Sequence, residues 1–373
     1  MTFRFLHTAD WQVGKPFGSV PGDAGSELRG QRIRTVRRIA ELARERAVDA
    51  VLVAGDAFDS NDVKDKTIVQ TLEALRGFEG PWVFLPGNHD AALAHSVWTR
   101  MRTLGLPPNV VIADTPTPID CWGGRAQVLP APLKRRREVL DQTAWFEEAA
   151  TPEGACRIGL AHGSVAGRLP GGSEAANEIP EDRAARAGLS YLALGDWHGA
   201  LEIAPRTYYS GTPETDRHRA NRSAHVHLVE TNGTRAPEQV ETLAVGHYRW
   251  VALDLSLIDG TCTAALTELE RLGDDPRRCV VSLRLSGSVS LTERRKLEAA
   301  LRLWEARLHH LDVDDSALLD EPTADDLDAI DTAGFVRLAV DRLRARAEDP
   351  ADPERDAARL ALRLIYLDHR GRA

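Results

Sequence analysis

The sequence has no CxxC pair, no run that approaches the ~20 apolar residues of a membrane span, and no excess of positive charge. Its four cysteines, Cys121, Cys156, Cys262 and Cys279, are scattered. That excludes a zinc ribbon and a disulfide framework and leaves buried free thiols. No charged-then-apolar leader precedes a small-residue cleavage site, so the expectation is a cytoplasmic protein with no membrane association. The formal net charge of -9 argues against a wholly basic surface but leaves local basic patches open. No internal repeat or low-complexity tract stands out.

What is present is a well-buried globular composition, 28% charged and 43% hydrophobic over 373 residues, long enough for one large domain and a smaller one. From residue 3 to about 245, short apolar runs alternate with amphipathic stretches, the signature of layered α/β architecture. "FRFLHTA", "DAVLVAG", "PWVFLPG", "NVVIA", "RAQVLP", "RIGLAH", "YLALGD", "RTYYSG" and "HVHLVE" read as strands. Residues 29–47 and 67–75 read as helices, and the Gly-rich segment 163–180 as a mobile loop. Near "HYRWVALDL" the character changes to a β-α-β-α-β unit, with helices at 264–272 and 292–307. The domain expectation is therefore 1–245 for the main domain, 246–320 for a small α/β cap, and 321–373 for a helical tail broken at "EDPADPE".

The polar clusters fall at strand ends. Asp10 and Gln12 follow one apolar run, Asp56 and Asp59 another, and Asn88, His89 and Asp90 a third; His162, then Asp196 and His198, follow two more. Strand ends are where open α/β sheets build their sites, so five such clusters suggest one shared pocket. Carboxylates, amide oxygens and imidazoles are ligands for hard to borderline divalent ions, and a carboxylate can bridge two of them. Two ions ~3.5 to 4 Å apart suit phosphodiester hydrolysis, supplying a hydroxide nucleophile and neutralising the phosphate oxygens.

In order and spacing, "DxQ", "GDxxD", "GNHD", "HG" and "GDxH" resemble the motifs of the calcineurin-like metallophosphoesterases, which usually read DxH, GDxxD, GNHD, HG and GHxH. "LHTADWQVG", "GDAFD" and "YYSGTPE" look more narrowly like the SbcD-like DNA nucleases of double-strand-break repair. Gln12 and Asp196 resemble a bacterial branch of DNA endonucleases associated with the Lhr-Core helicase. The resemblance covers residues 1–245, and the cap and tail only in outline. It implies a four-layer α/β/β/α sandwich. It also implies that Asp10, Gln12, Asp56 and His198 hold a first metal, and Asp56, as bridge, with Asn88, His162 and Asp196 a second. His89 would contact the scissile phosphate, with Asp90 orienting its ring, and Asp59 would be a supporting carboxylate. Where the family usually has histidines, Gln12 and Asp196 make the site oxygen-rich, which shifts preference from zinc towards two Mn²⁺ with an exchangeable first ion.

"LKRRRE" places Lys134, Arg135, Arg136 and Arg137 outside a helix, where consecutive cations have little structural purpose and could neutralise DNA phosphates. The cluster Arg29, Arg32, Arg34, Arg37 and Arg38 reads as a solvated helix face. Lys15 and Arg168 are further candidates for contact with DNA. Trp11 and Trp197 could stack on a base or pack as wedges. His7 reads as structural, and His95, His218, His225, His227 and His247 as surface or sheet residues. The resulting expectation is a manganese-dependent nuclease of DNA repair, an endonuclease on single-stranded DNA, with a helicase, ligase or ATPase as partner. The alternatives are a 3′-5′ exonuclease, a phosphodiesterase of small substrates, and a non-catalytic DNA-repair scaffold.

Overall fold

The structure is a computed structural model that describes residues 2–168, 177–218, 221–233, 237–322, 324–330 and 334–372. Part of the loop expected at 163–180 lies outside the described residues. By its internal contacts the chain divides into two units, Met1–Asp216 with Ala220–Tyr248, and Arg217–Arg219 with Arg249–Ala373.

The first unit begins with four parallel strands, β1 (Phe3–Thr8), β2 (Ala50–Val53), β3 (Trp82–Phe84) and β4 (Val110–Ile112). They are joined by α1 (Gly22–Glu45), α2 (Asp65–Leu75) and α3 (Val97–Thr103). Every residue of β2 and β3 is buried, as a strand covered on both faces requires. Alternation decides which layer each side chain enters. Leu6, Val51, Val53, Trp82 and Phe84 pack against Val36, Ile39 and Leu72 of the helices, while Phe5, Leu52 and Val83 point to the other side.

On that other side lies a second sheet. It is built from β5 (Ile119–Asp120), β6 (Ala126–Ala131), β7 (Cys156–His162), β8 (Tyr191–Gly195), β9 (Leu201–Ala204) and β10 (Thr207–Tyr209). Its order is β5-β6-β7-β8-β10-β9, with β6, β7, β8 and β10 parallel. Val128, Ile158, Leu160 and Tyr191 face the first sheet, and Leu129, Ala161 and Leu192 face outward, onto Phe146, Leu189 and Ala184 of α4 (Arg183–Arg186). The chain then returns to the first sheet as antiparallel β11 (His225–Thr231) and β12 (Gln239–Ala244), giving the order β12-β11-β1-β2-β3-β4. The result is the α/β/β/α sandwich that the strand pattern and motifs led us to expect.

α1 starts seven residues before the expected 29. Gly25 is buried inside the helix where a Cβ would strike the Val20 carbonyl, so close packing explains the glycine. α3, α4, β5, β9 and β12 were not anticipated; β5 has two residues and α4 four, too short for periodicity to register.

The second unit holds a parallel sheet of β13 (Arg249–Gly260), β14 (Cys279–Val289) and β15 (His310–Asp320). Its crossovers are α5 (Thr263–Glu270) and α6 (Leu291–Arg307), close to the expected ranges. Ser290 caps α6 by accepting from the Glu293 N–H at 3.3 Å. α7 (Ala324–Ala329), α8 (Phe335–Glu348) and α9 (Arg355–Arg372) follow. Leu327, Val340, Leu362 and Tyr366 form their shared core, and Arg363 pairs with Glu321 at 2.5 Å. All four cysteines are free thiols. Among the described residues no helix is long and apolar enough to cross a membrane.

Leu160 is fully buried between the two sheets. Leu160→Ala is expected to lower stability by about 2–5 kcal/mol, measured as a shift in the urea midpoint by tryptophan fluorescence. A midpoint equal to that of the parent chain would mean the sheets are not closely packed there.

Candidate metal centre

The site forms where β1, β2, β7 and β8 end at the same edge of the sandwich. After β1 the backbone turns sharply, with Asp10 at φ 54° and Gln12 at φ 43°. After β2, Asp56 sits at φ 53°, and after β8, Asp196 at φ 103°. Left-handed backbone costs a non-glycine residue roughly 1–3 kcal/mol, so the surroundings must enforce it. Much of that enforcement is visible: the Asp10, Gln12 and Val13 N–H groups donate to the carbonyls of Gly55, Asp56 and Ala57 at 3.0, 2.9 and 3.0 Å. These bonds continue the β1–β2 pairing into the loops and turn the ligand-type side chains to one side.

Ligand-type atoms of Asp10, Asp56 and His162 lie within 4.8 Å of one another, all buried. The His162 Nδ1–H donates to the Ala54 carbonyl at 2.8 Å, which leaves Nε2 aimed at Asp56 Oδ1, 3.5 Å away, and Asp196 Oδ1, 3.8 Å away. Asp196 joins the cluster through its N–H, which donates to the Asp10 carboxylate at 3.1 Å, and its own Oδ2 accepts from Ser164 Oγ at 2.7 Å. The Gln12 amide nitrogen lies 3.3 Å from His198 Nε2. Among the described residues, two ligand-type atoms of these motifs, Asn88 Oδ1 and His162 Nε2, are buried with no hydrogen-bond partner.

Closely gathered anions in a dry interior perturb one another. Burial, with Asp56 and Asp196 nearby, pushes the Asp10 carboxyl up to about 6 against the pull of His198 and His162. Burial alone would lower His162, but Asp56, Asp10 and Asp196 outweigh it and raise the imidazole to about 9. Three carboxylates around one imidazole leave the cluster short of positive charge, and the orphaned oxygen and nitrogen lack a partner. A divalent cation would satisfy both, so these residues fit one. Glycine makes the crowding possible: a Cβ at Gly55 would strike the His162 ring, and one at Gly87 would strike Asp56.

His89 sits beside this cluster. Its N–H donates to Asp56 Oδ1 at 2.9 Å, and its Nδ1 bonds the Asp59 carbonyl at 2.9 Å. This corrects the expectation that Asp90 orients the ring. The buried Asp90 carboxylate instead accepts from the Gly87 N–H at 2.7 Å and the Phe58 N–H at 3.0 Å, fastening the "GNHD" loop to the "GDAFD" loop. Burial, then the Asp56 charge, pushes its carboxyl up to about 8. Asp59 acts here through its backbone oxygen rather than its carboxylate.

Sequence reading missed Asp216. Its Oδ1 lies 3.5 Å from His198 Nδ1, and its Oδ2 pairs with Lys15 at 2.5 Å and Arg32 at 3.2 Å. Arg32, which charge pattern assigns to a solvated face, is 1% exposed and also donates to the Trp11 carbonyl. A lone carboxylate in "GTPETD" carries no motif; the available signal was its place just past β10, whose end lies beside the end of β8. Lys15 is thereby engaged in an ion pair, as is Arg168 with Glu181 at 2.6 Å. Trp11 is buried edge-on against Trp82 and Phe84, and so packs rather than stacks on a base. His7 is buried between Tyr191 and the Leu194 carbonyl, a structural role.

Lys134, Arg135, Arg136 and Arg137 are exposed, in the loop after β6. That loop adjoins the site: the Leu133 N–H donates to the Pro86 carbonyl at 3.2 Å, and the Leu133 carbonyl accepts from Ala92 at 2.9 Å, bracketing the "GNHD" loop.

Residues 3–200 match the calcineurin-like phosphoesterase family. Among curated proteins, the SbcD subunit of the nuclease SbcCD from Bacillus subtilis is 27% identical over 56% of this chain and 61% of its own length. The Rhodobacter capsulatus protein of the same name is 27% identical over 56% of this chain and 62% of its own. An uncharacterised metallophosphoesterase of Bacillus subtilis, YhaO, is 25% identical over 61% and 58%. The chain thus spans about three fifths of the length of these relatives.

Asp216→Asn keeps the shape but removes the charge behind His198. It is expected to weaken Mn²⁺ binding about 10–100-fold in a calorimetric titration, with an unchanged far-UV circular dichroism spectrum. Parent-like affinity would show that Asp216 does not support a ligand.

Proposed function

Because this chain belongs to the calcineurin-like phosphoesterase family, we propose that it is a manganese-dependent DNA nuclease that cuts single-stranded DNA internally. The observation that carries this reading is the buried cluster of Asp10, Asp56 and His162, joined by half-buried Asp196 and holding two orphaned ligand atoms, beside an exposed run of four cations. Asp10, Gln12, Asp56 and His198 would hold one ion, and Asp56, Asn88, His162 and Asp196 the other. Two such ions, when bound, would supply a hydroxide nucleophile at neutral pH and would screen the charge of the phosphate. With only His162 and His198 as nitrogen donors, the oxygen-rich set favours manganese over zinc.

The chain's own groups supply the rest. The His89 Nδ1–H, held by the Asp59 carbonyl, leaves Nε2 for the scissile phosphate, where the doubly protonated ring would donate to a phosphate oxygen or give its Nε2 proton to the leaving oxygen. Asp90 positions that residue by anchoring Gly87, and Asp216 positions His198. Lys134, Arg135, Arg136 and Arg137 carry no ion pair among the described residues, so their charge is available to DNA phosphates. The word nuclease in the names of two relatives supports a DNA substrate, and their being named as subunits supports a protein partner, a helicase, ligase or ATPase of DNA repair. We infer a cytoplasmic setting, where free cysteines persist.

A circular single strand has no end, so it separates internal from terminal cleavage. Linearisation is expected with Mn²⁺, more slowly with Mg²⁺ or Zn²⁺, and to fall at least ~100-fold in His89→Ala. Degradation of linear DNA with an intact circle would make the protein an exonuclease. Inertness towards all DNA alongside turnover of small diesters would remove nucleic acid as the substrate.

A further inference from the structure

One residue past the cationic run, after Glu138, the chain presents two apolar side chains to water, Val139 at 99% exposure and Leu140 at 77%. Single exposed aliphatics are ordinary. An adjacent pair on a loop tip held from both sides is less so. On one side, the Glu138 N–H donates to Asn177 Oδ1 at 2.7 Å, and the Glu138 carboxylate accepts from the Lys134 N–H at 3.1 Å. Asn177, itself buried and left-handed at φ 54°, also donates to the Arg136 carbonyl at 3.3 Å. On the other side, Asp141 accepts from the Thr143 N–H at 2.8 Å and pairs with buried Arg183 at 2.5 Å. The tip is therefore fixed by its flanks while its two side chains remain uncovered.

We propose that Val139 and Leu140 form an apolar wedge that inserts against the bases of a strand whose phosphates are held by Lys134 to Arg137. This rests on the nuclease reading and deepens it, naming the substrate class as DNA whose bases are already unstacked or easily unstacked. The local charge selects the occupant: four cations without an ion pair among the described residues precede the apolar pair, separated from it by Glu138 alone, and the same loop brackets His89. Phosphate contact and base contact then come from one loop, as in proteins that kink DNA with aliphatic side chains. Paired DNA must give up stacking to accept the wedge, whereas a single strand gives up little, so single strands and mismatched sites are favoured.

The test compares the parent chain with the Val139→Ser, Leu140→Ser double variant and with Val139→Met, Leu140→Met. The probes are a 2-aminopurine-labelled single strand and the fully paired duplex of the same sequence, with Mn²⁺ present. Binding by the parent is expected to raise 2-aminopurine fluorescence, and cleavage to favour the single strand. In the serine variant the rise is expected to disappear and the preference to drop roughly tenfold, and the methionine variant is expected to restore both. Hydrolysis of bis(p-nitrophenyl) phosphate reports that the site is intact in each. An unchanged fluorescence rise and preference in the serine variant would overturn the wedge and leave the tip to a protein partner. Failure of the parent to bind or cut either DNA, with the small diester still turned over, would overturn the nuclease reading beneath it.

Discussion

The site depends on three backbone hydrogen bonds that join the loop after β1 to the loop after β2. Through them Asp10, Gln12 and Val13 continue a parallel pairing beyond the point where the strands end. They hold Asp10, Gln12 and Asp56 in left-handed conformations that a free loop would leave at once. Without that pairing the carboxylates would turn to water and relieve their repulsion. With it, their charge is concentrated in the interior, and the "GNHD" loop, tied on by Asp90, adds Asn88 and His89.

Concentrated negative charge needs an answer, and the molecule gives two. Behind His198 the answer is protein: Lys15 and buried Arg32 meet Asp216, and Arg32 also donates to the carbonyls of Trp11 and Glu214. In front, among Asp10, Asp56, His162 and Asp196, the described residues place no cationic side chain other than histidine within ion-pair reach. There a divalent cation is the fitting partner. Strain, burial and unpaired ligand atoms therefore share one cause, a cavity shaped for charge the chain does not itself contain.

Much of this was legible in the sequence because it rests on local signals. Buried parallel strands such as "AVLV" are continuous apolar runs, and "GDAFD" and "GNHD" mark the turns that follow them. What escaped was set by tertiary contact. Asp216 and Arg32 meet across some 180 residues of chain with no motif to announce it, and Arg32 lies in a cationic stretch that pattern alone assigns to solvent. The His89 ring is oriented by a backbone oxygen, which no side-chain pattern encodes. The expected helix began at Arg29, and the glycines ahead of it, Gly25 packed against Val20 among them, belong to α1 through tertiary contact. Val139 and Leu140 drew no expectation, since exposure cannot be inferred from an apolar pair.

The claim that the cluster holds two cations bridged by Asp56 is tested most directly by electron paramagnetic resonance of the manganese-loaded protein, with the metal content measured on the same sample. The account predicts two ions per chain and an exchange-coupled multiline signal that Asp56→Asn abolishes. One ion per chain, or only the six-line signal of isolated Mn²⁺ at full loading, would contradict it.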